Sequence, residues 1–531
     1  MRGVSQKNRG ERPWWLLVQI VLPILAVVWL IQGAYAIHRE ALPQRTVMLN
    51  AGNCHMPMTI LDPPGGSAVL GSAVVLHGLS ANRRIMLYLG QNLTNAGVRV
   101  YIPDLPGHGD NTDPFSFARA EQCAAAAVAT LIRSNQINPK TTILVGHSMG
   151  AAIAIRLADH NPVAATIAIS PAPLVMPQRI PANLLVFDAQ YDIGAVRLEA
   201  ETISNAAGIN RTTPGDFAQD RAFQVESIPR ATHTSVLFDP VVLTKSMEWI
   251  NQTLSSNFQR NGNANPEISS MGHTFQIYAG ALTGSASGLI GILVLFLPCV
   301  AIAGRIGGPM REESAATLRV SRSLALAEVV FCALVSVLLL KLFVPLKFLH
   351  IYAGDYLASL LLLVGVMLLA LNWRVAKTMW SPNVRHLVPA AILAFATFLA
   401  ISGWSNWQLS DTWMNGPRWL RFAVLLPFSC IFSFAEEVVL GPVHAGKSRT
   451  LRFAVFLGIR AEIWLACLLA FFELSSGQVL PILLVAFFAL FSILQRLATD
   501  AFRRRTGSPE AAALFGAILA AWFIAAVLPL T

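Results

Sequence analysis

Charged side chains are scarce in this chain. Asp, Glu, Lys and Arg make up 13% of its 531 residues, whereas soluble proteins carry about 25%. Hydrophobic residues make up 54%, so a large part of the chain belongs in a membrane. The formal net charge of +10 does not indicate a nucleic-acid partner, because the basic residues lie mostly in short loops beside apolar runs, where they set membrane topology.

Cysteine is also scarce, and its spacing excludes a zinc site. The six cysteines form no C-x-x-C motif and no paired spacing with histidine, and we expect no metal or other cofactor. Cys54 and Cys123 lie in the polar part of the chain and could form a disulfide if that part lies outside the cytoplasm. The other four lie in apolar runs, where we expect them to pack within the membrane: Cys299, Cys332, Cys430 and Cys467.

The first apolar segment follows a short basic tail. Residues 1–13 are polar and basic, and residues 14–36 carry no charge and are long enough to cross a bilayer. The segment ends in an A-x-A pattern that a signal peptidase could cut, but its length favours an uncleaved anchor. In both cases the tail stays in the cytoplasm and residues 37–260 lie outside it.

Residues 37–260 have the pattern of an α/β domain. Short apolar runs alternate with helical patterns, which is typical of a mostly parallel sheet with helices on both faces. The runs are apolar throughout, which indicates strands buried on both faces. A polar linker follows at 261–273. The predicted strands are the runs "AVVLHG", "VRVYIPD", "TTILVG", "ATIAIS", "NLLVFDA" and "AFQVESI".

Residues 274–531 form a predicted all-α transmembrane domain with eight spans, which gives about nine membrane helices with the N-terminal anchor. Alternate loops carry nearly all the basic residues, so the positive-inside rule places the α/β domain on the extracytoplasmic side. We expect a multi-pass protein of a bacterial inner membrane. The apolar runs lie near 275–303, 323–344, 350–371, 387–404, 419–440, 452–472, 478–495 and 511–530.

The motif "GHSMG" at residues 146–150 holds the candidate nucleophile, Ser148. The motif lies between a predicted strand and a predicted helix, the setting of a nucleophile elbow. The flanking glycines leave room for a strained turn, and the helix N-terminus favours developing negative charge. A buried serine in a glycine-rich loop is the alternative, which this motif alone does not exclude.

Two further motifs decide between these interpretations. The segments "AVVLHGLSANRR" (73–84) and "VYIPDLPGHGDN" (100–111) are strands that end in His-Gly and in D-x-P-G-H-G. Together with "GHSMG" they resemble the α/β-hydrolase fold superfamily, in its lipase, esterase and serine-peptidase-like branch, over about residues 65–255. The roughly dozen residues between the fourth and fifth predicted strands are too few for a lid domain, so we expect a site that is open, or covered by the membrane surface or by membrane-domain loops.

The resemblance implies a catalytic triad in the order nucleophile, acid, histidine. Ser148 would be the nucleophile and His233, between the last strand and the closing helix, would be the base. The acid would be Asp192, in the turn after a strand; Asp188, at the end of that strand, is the alternative.

The resemblance also implies an oxyanion hole made by the backbone N–H groups of Leu79 and Met149. The remaining histidines in the three motifs are expected to be structural: His77, His108 and His147.

The expected function is that of a membrane-anchored serine hydrolase that cleaves an ester, possibly a lipid acyl ester, through an acyl-enzyme. Its expected partners are the ester or lipid substrate and membrane lipids, with no nucleic acid; its oligomeric state stays open. Two alternatives remain: an acyltransferase with the same triad, and a non-catalytic transporter or receptor with a decayed hydrolase domain.

Two features of the transmembrane half have other interpretations. Glycines 280, 284 and 288 are four apart, which favours a helix-packing seam. The pair Glu436-Glu437 is similar to that of intramembrane CAAX-type proteases, but Gly441 stands where that family has arginine, and no histidine follows residue 444. We therefore expect carboxylates near the cytoplasmic interface, paired with Arg449, Arg452 or Arg460. The intramembrane Glu328 and Glu462 leave a transport or lipid-binding pathway open.

Overall fold

The structure is a computed structural model, and it describes residues 13–173, 179–207, 216–260, 275–306, 322–444, 449–474 and 480–531. The predicted linker at 261–273 and nearly all of the predicted tail lie outside the described residues. The rest consists of an α/β domain and a set of long apolar helices.

The α/β domain contains an eight-stranded sheet of order β1-β2-β4-β3-β5-β6-β7-β8. The strands β3 to β8 are parallel to one another and correspond to the six predicted runs. The prediction omitted the antiparallel hairpin β1–β2, which turns at Gly52 with φ 65° and adds to the sheet beside β4. The strands are β1 (Gln44–Ala51), β2 (Cys54–Leu61), β3 (Gly71–Leu76), β4 (Val98–Pro103), β5 (Thr142–His147), β6 (Ala165–Ile169), β7 (Leu184–Ala189) and β8 (Phe223–Ile228).

Helices cover the sheet and connect its parallel strands. Because β3 to β8 run the same way, the loops that follow their carboxyl ends meet at one edge of the sheet, where α/β proteins place their sites. A disulfide joins Cys54 at the start of β2 to Cys123, with the two Cα atoms 5.5 Å apart. After the long N-terminal helix α1 (Pro13–Glu40), the helices of this domain are α2 (Leu87–Leu93), α3 (Phe117–Arg133), α4 (Met149–His160), α5 (Gly194–Ala207) and α6 (Pro240–Arg260).

Long apolar helices make up the rest of the described chain. Seven helices among the described residues are long and apolar enough to cross a membrane, so the chain has the make-up of a multi-pass membrane protein; the count of nine spans stays a prediction. After the α/β domain the helices are α7 (Gly280–Ile306), α8 (Arg322–Leu342), α9 (Gly354–Leu371), the short α10 (Trp373–Met379), α11 (Val384–Gln408), α12 (Gly416–His444), α13 (Arg449–Leu474), α14 (Leu480–Thr506) and α15 (Pro509–Val527).

The helices that flank the α/β domain, α1 and α7, pack tightly against each other. A Cβ atom at Gly284 would lie 2.6 Å from the carbonyl oxygen of Gly33, and the reverse distance is also 2.6 Å. The Glu40 carboxylate accepts a hydrogen bond of 2.5 Å from the Gly280 N–H. The predicted glycine seam therefore joins these two helices, except that Gly288 faces the indole ring of Trp404 on α11.

The paired glutamates of α12 are buried among three helices. Glu436 accepts a hydrogen bond of 2.6 Å from Arg460 on α13, one of the predicted partners. Glu437 pairs with Arg503 at 2.6 Å and with Arg496, both on α14. Neither of these two arginines was among the predicted partners. The side chains of the other two predicted partners, Arg449 and Arg452, lie outside the described residues.

The carboxyl edge of the sheet rests on the membrane domain. Asn82, in the loop after β3, exchanges hydrogen bonds with the backbone of Asp411 between α11 and α12, at 3.3 and 3.1 Å. The loop after β4 pairs with the residues that follow α15: Leu530 donates to the Gly107 carbonyl at 2.9 Å and accepts from the Phe115 N–H at 2.7 Å. The carboxyl edge of the sheet and the membrane-domain loops therefore form one continuous interface.

A buried arginine, Arg418, forms hydrogen bonds to both sides of this interface. Arg418 on α12 donates to the carbonyl oxygens of Ala525 and Leu528 at 2.7 and 3.0 Å, and to the Gly107 carbonyl at 3.0 Å. One guanidinium group thus holds the end of α15 and the loop after β4 together.

Candidate active site

Ser148 occupies a strained turn between β5 and α4. Its φ of 55° and ψ of −119° are rare for a residue with a side chain. A Cβ atom at Gly146 would overlap the carbonyl of Gly150, and a Cβ atom at Gly150 would overlap that of Leu76. Both glycines are therefore needed for close backbone approach, and the turn has the form of a nucleophile elbow.

His233 and Asp192 form a hydrogen-bonded pair at the same edge of the sheet. The Nδ1 atom of His233 lies 2.8 and 3.0 Å from the two carboxylate oxygens of Asp192. The Asp192 side chain is fully buried, and one of its oxygens also accepts a hydrogen bond of 2.8 Å from the Ile193 N–H. A buried carboxylate in this position fixes the ring so that Nε2 is free to accept a proton.

The alternative acid, Asp188, lies on β7 and faces a different partner. The hydroxyl of Ser227 on β8 donates to it at 3.4 Å. Burial is the main cause that raises the pKa of Asp188 above its usual value. Of the two candidates, only Asp192 is bonded to the histidine in the described part of the chain.

His147 connects the nucleophile turn to the histidine loop. Its Nε2 atom lies 2.8 Å from the backbone carbonyl oxygen of His233, and the two rings are 4.8 Å apart. Burial, followed by the neighbouring His233, lowers the pKa of His147 to about 3, so the ring is neutral and Nε2–H donates this bond. His147 therefore positions the loop that carries His233 beside Ser148.

In this conformation no hydrogen bond joins Ser148 Oγ to His233 Nε2 in the described residues. In the free state such bonds are often long and tighten when substrate binds. The structure thus brings the predicted nucleophile, base and acid to one place, with one of the two triad hydrogen bonds formed.

The predicted oxyanion hole depends on the orientation of one peptide group. The Gly78 carbonyl accepts hydrogen bonds from His77 Nδ1 at 2.8 Å and from the Ala81 N–H at 3.2 Å. Because a trans peptide places its C=O and N–H on opposite sides, the Leu79 N–H points away from His77. His77 Nε2 accepts from the Leu105 N–H at 3.0 Å, and burial lowers the pKa of His77, so the ring is neutral and holds this orientation.

The second predicted donor, the Met149 N–H, is the first amide of α4. Amides in the first turn of a helix have no partner within the helix. No described residue accepts a hydrogen bond from the N–H of Leu79 or Met149. The third histidine of the motifs, His108, is buried with a lowered pKa, and its Nδ1 bonds the Pro106 carbonyl at 2.8 Å.

Residues of the membrane domain contact the loops around the site. Ser148 is only 3% exposed. The Leu79 side chain packs against the apolar core of the long helices. Tyr352, from the loop before α9, lies edge-on to Phe115 at 5.5 Å. Ser148 is thus buried, and residues in the loops after β3 and β4 contact residues of the membrane domain.

Three carboxylates meet at this interface: Asp104, Asp110 and Asp411. The Arg83 guanidinium already pairs with Asp104 and with Asp110, the latter at 2.6 Å. We assign the group no metal role, because an arginine engages two of its three members. Three residues of this interface were not predicted from the sequence, because their partners lie in remote parts of the chain: Asn82, Asp411 and Arg418.

Comparison with known proteins agrees with the fold of this domain. A sequence model of the Alpha/beta hydrolase family matches residues 73–251. No curated protein sequence matches the chain.

Solved structures of low sequence identity resemble the domain. An alpha-beta serine hydrolase homologue from Coxiella burnetii is 14% identical with a TM-score of 0.30, over 39% of this chain and 95% of that one. A lidless serine hydrolase from Xanthomonas campestris is 18% identical with a TM-score of 0.31, over 41% and 97%. An esterase from Pyrobaculum calidifontis is 15% identical with a TM-score of 0.32, over 46% and 93%.

The family match confirms the resemblance inferred from the three motifs. The matched residues begin within β3 and end within α6, so they span the parallel part of the sheet and every element that carries a candidate site residue. The chain therefore carries an α/β-hydrolase family domain, joined to long apolar helices that have the make-up of a multi-pass membrane protein.

Proposed function

We propose that this protein is a membrane-anchored serine hydrolase that cleaves an ester bond through a Ser148–His233–Asp192 triad. The observation that carries the proposal is the buried Asp192 carboxylate bonded to His233 beside a strained serine turn. A structural serine would not need this backbone strain, which is typical of functional sites.

The proposed reaction has two halves. His233 Nε2 takes the hydroxyl proton as Ser148 Oγ attacks the ester carbonyl, and then gives that proton to the leaving alcohol. Water, deprotonated by His233, attacks the resulting acyl-enzyme and releases the carboxylic acid. Asp192 stabilises the charged imidazole in both halves.

The developing oxyanion would bind the N–H groups of Leu79 and Met149. The loss of one such donor costs on the order of 3 kcal/mol in the barrier of a hydrolase. His77 would act as a positioning residue, since it orients the peptide that carries one of the two donors.

The proposed substrate is a lipid ester. This inference is supported by the interface, because the loops after β3 and β4 lie against membrane-domain loops that adjoin apolar helices. The loops after β3 and β4 meet the ends of apolar helices, a position suited to an amphiphilic substrate.

The proposed location of the hydrolase domain is the extracytoplasmic side. The Cys54–Cys123 disulfide supports it, since disulfides persist in oxidising compartments. In the sequence of the transmembrane half, alternate loops carry most of the basic residues, as expected for cytoplasmic loops.

The test is labelling of the full-length protein in membranes with a fluorophosphonate probe, beside Ser148→Ala and His233→Ala. We expect labelling of the wild type that is lost in both variants. A folded wild type that is not labelled would refute the proposal. Product analysis with a long-chain ester, with and without an added alcohol, then separates hydrolysis from acyl transfer to that alcohol.

A further inference from the structure

The membrane domain contains a cavity that the proposed hydrolase reaction does not use. Helices α9, α12, α13, α14 and α15 all contribute to its walls. The empty space between these helices is about 800 Å³, including the part that is open to the surroundings. Most of its wall is apolar or aromatic, and includes Phe432, Trp464, Phe488 and Phe491.

One end of the cavity lies at the hydrolase-facing ends of the helices. Ala353 just before α9 and Leu528 just after α15 line it there. The Leu528 carbonyl accepts a hydrogen bond from Arg418, which also bonds Gly107 of the hydrolase domain. Gln495 lines the opposite end of the cavity. It lies about 22 Å along α14 from Leu480, the first residue of that helix, at about 1.5 Å per residue.

Arg460 lies at this opposite end and is the one charged residue among the described residues that line the cavity. This side chain is 93% buried, since its exposed fraction is 7%. Its guanidinium donates to Glu436 at 2.6 Å and to the Gln495 side-chain oxygen at 3.3 Å, but its Nε atom has no hydrogen-bond partner among the residues that the structure describes. Buried polar groups rarely lack a partner.

Other polar groups near Arg460 do not supply that partner. Ser492 accepts from Trp464 Nε1 at 3.1 Å and donates to a backbone carbonyl, and the Gln495 amide nitrogen donates to Gly516 at 2.9 Å. Glu436 also has a carboxylate oxygen without a partner, but it does not line the cavity. The cavity thus offers the Arg460 guanidinium, with its unpartnered Nε–H, at one end and an apolar wall along its length.

We propose that this cavity binds an anionic amphiphile, with its carboxylate or phosphate head on Arg460 and its hydrocarbon chain along the aromatic wall towards the hydrolase domain. A guanidinium group with a free N–H matches either head chemically. The aromatic wall separates the hydrocarbon chain of the amphiphile from water and from bulk lipid. This site stands apart from the Ser148 site, and its occupancy does not require hydrolase activity.

The experiment measures tritiated palmitate binding to the full-length Ser148→Ala protein in nanodiscs of phosphatidylcholine. We expect saturable binding that dodecyl phosphate and dodecanoate compete for and dodecanol does not. The stronger of the two anionic competitors identifies the preferred head. Equal competition by dodecanol would overturn the proposal, because a neutral head cannot replace an anion on Arg460.

Arg460→Gln tests the head site. Hydrogen bonds to charged groups contribute about 1.5–3 kcal/mol, so palmitate affinity should fall by at least about tenfold. Arg503→Gln is the matched control: it removes a charge from the same ion-pair cluster without touching the cavity wall. An equal loss in both variants would refute a head site on Arg460.

Two further variants keep the proposal testable if Arg460→Gln does not fold. Arg460→Gln combined with Glu436→Gln removes both members of an ion pair, so no unpaired charge remains buried. Ala520→Phe fills the cavity from α15 without changing any charge. Both should lose palmitate binding while fluorophosphonate labelling of their Ser148-containing counterparts is kept. Unchanged palmitate affinity in a folded Ala520→Phe variant would overturn the proposal.

Discussion

Asp192→Asn is the sharpest test of the proposed triad. Both carboxylate oxygens of Asp192 lie within 3.0 Å of His233 Nδ1. An asparagine in this place can turn an NH2 group towards the ring, and the ring then carries its proton on Nε2. A histidine in this tautomer cannot take the proton of Ser148.

The expected loss in kcat follows from this change of tautomer. In serine proteases the same substitution lowers kcat by about 10⁴, which corresponds to about 5.5 kcal/mol in the barrier. We expect a loss of this order here, because the Asp192 side chain is fully buried and no water can take its place as an acceptor. The KM for the ester should change little, since Asp192 would not contact the substrate.

Asp188→Asn is the matched control. Asp188 lies four residues before Asp192 and bonds Ser227 at 3.4 Å. Its substitution should leave kcat within a few fold of the wild type. The assay is steady-state hydrolysis of a chromogenic ester together with the rate of fluorophosphonate labelling. If Asp188→Asn is the variant that loses activity and Asp192→Asn keeps it, the assignment of the acid is wrong.

Three further predictions concern the frame around the site. Gly150→Ala should abolish fluorophosphonate labelling in a chain that still folds and inserts, because its Cβ atom would overlap the Leu76 carbonyl; normal labelling would contradict the close approach. Reduction of the Cys54–Cys123 disulfide should lower the melting temperature in detergent, since the bond closes a loop of 69 residues and can contribute about 4 kcal/mol; Cys54→Ala should melt like the reduced protein. Burial, with the nearby Asp110 and Asp104, raises the pKa of Asp411 from 3.8 to about 7, so the free energy of unfolding should fall as pH rises from about 4 to 7. Asp411→Asn should flatten this pH dependence. An unchanged pH dependence in that variant would count against the burial of Asp411 between the α/β domain and the membrane domain.

Five of the six predicted strands, β3 to β7, lie inside the sheet with nearly all of their residues buried, which matches their nearly continuous apolar runs. The sixth, β8, lies at one edge of the sheet, and only its first and last residues are buried. Of the two missed strands, β1 lies at the other edge of the sheet, and six of its eight residues are exposed. The second, β2, lies inside the sheet and is mostly buried, but it follows β1 through a turn and not through a helix, so it falls outside the alternation of strands and helices. The turn at Gly52 is the local feature that indicates this hairpin.

The candidate site could be read from sequence because its chemistry depends on local motifs. The turn at Ser148 needs two flanking glycines, and the loop that holds His233 follows the last strand. The contacts between the loops around the site and the membrane domain could not be predicted from the sequence. Asn82 and Asp411 are 329 residues apart, and no pattern in one sequence shows that two such residues pair.

The close packing of α1 against α7 has a consequence for how the chain is assembled. The hydrogen bond between Glu40 and Gly280 brings together the two points where the hydrolase domain joins its flanking helices. Viewed from the bilayer, α1 and α7 are therefore a helical hairpin into which an entire enzyme has been inserted. Domains whose ends lie close together tolerate such insertion, so a short loop in place of residues 41–279 should leave the hairpin intact.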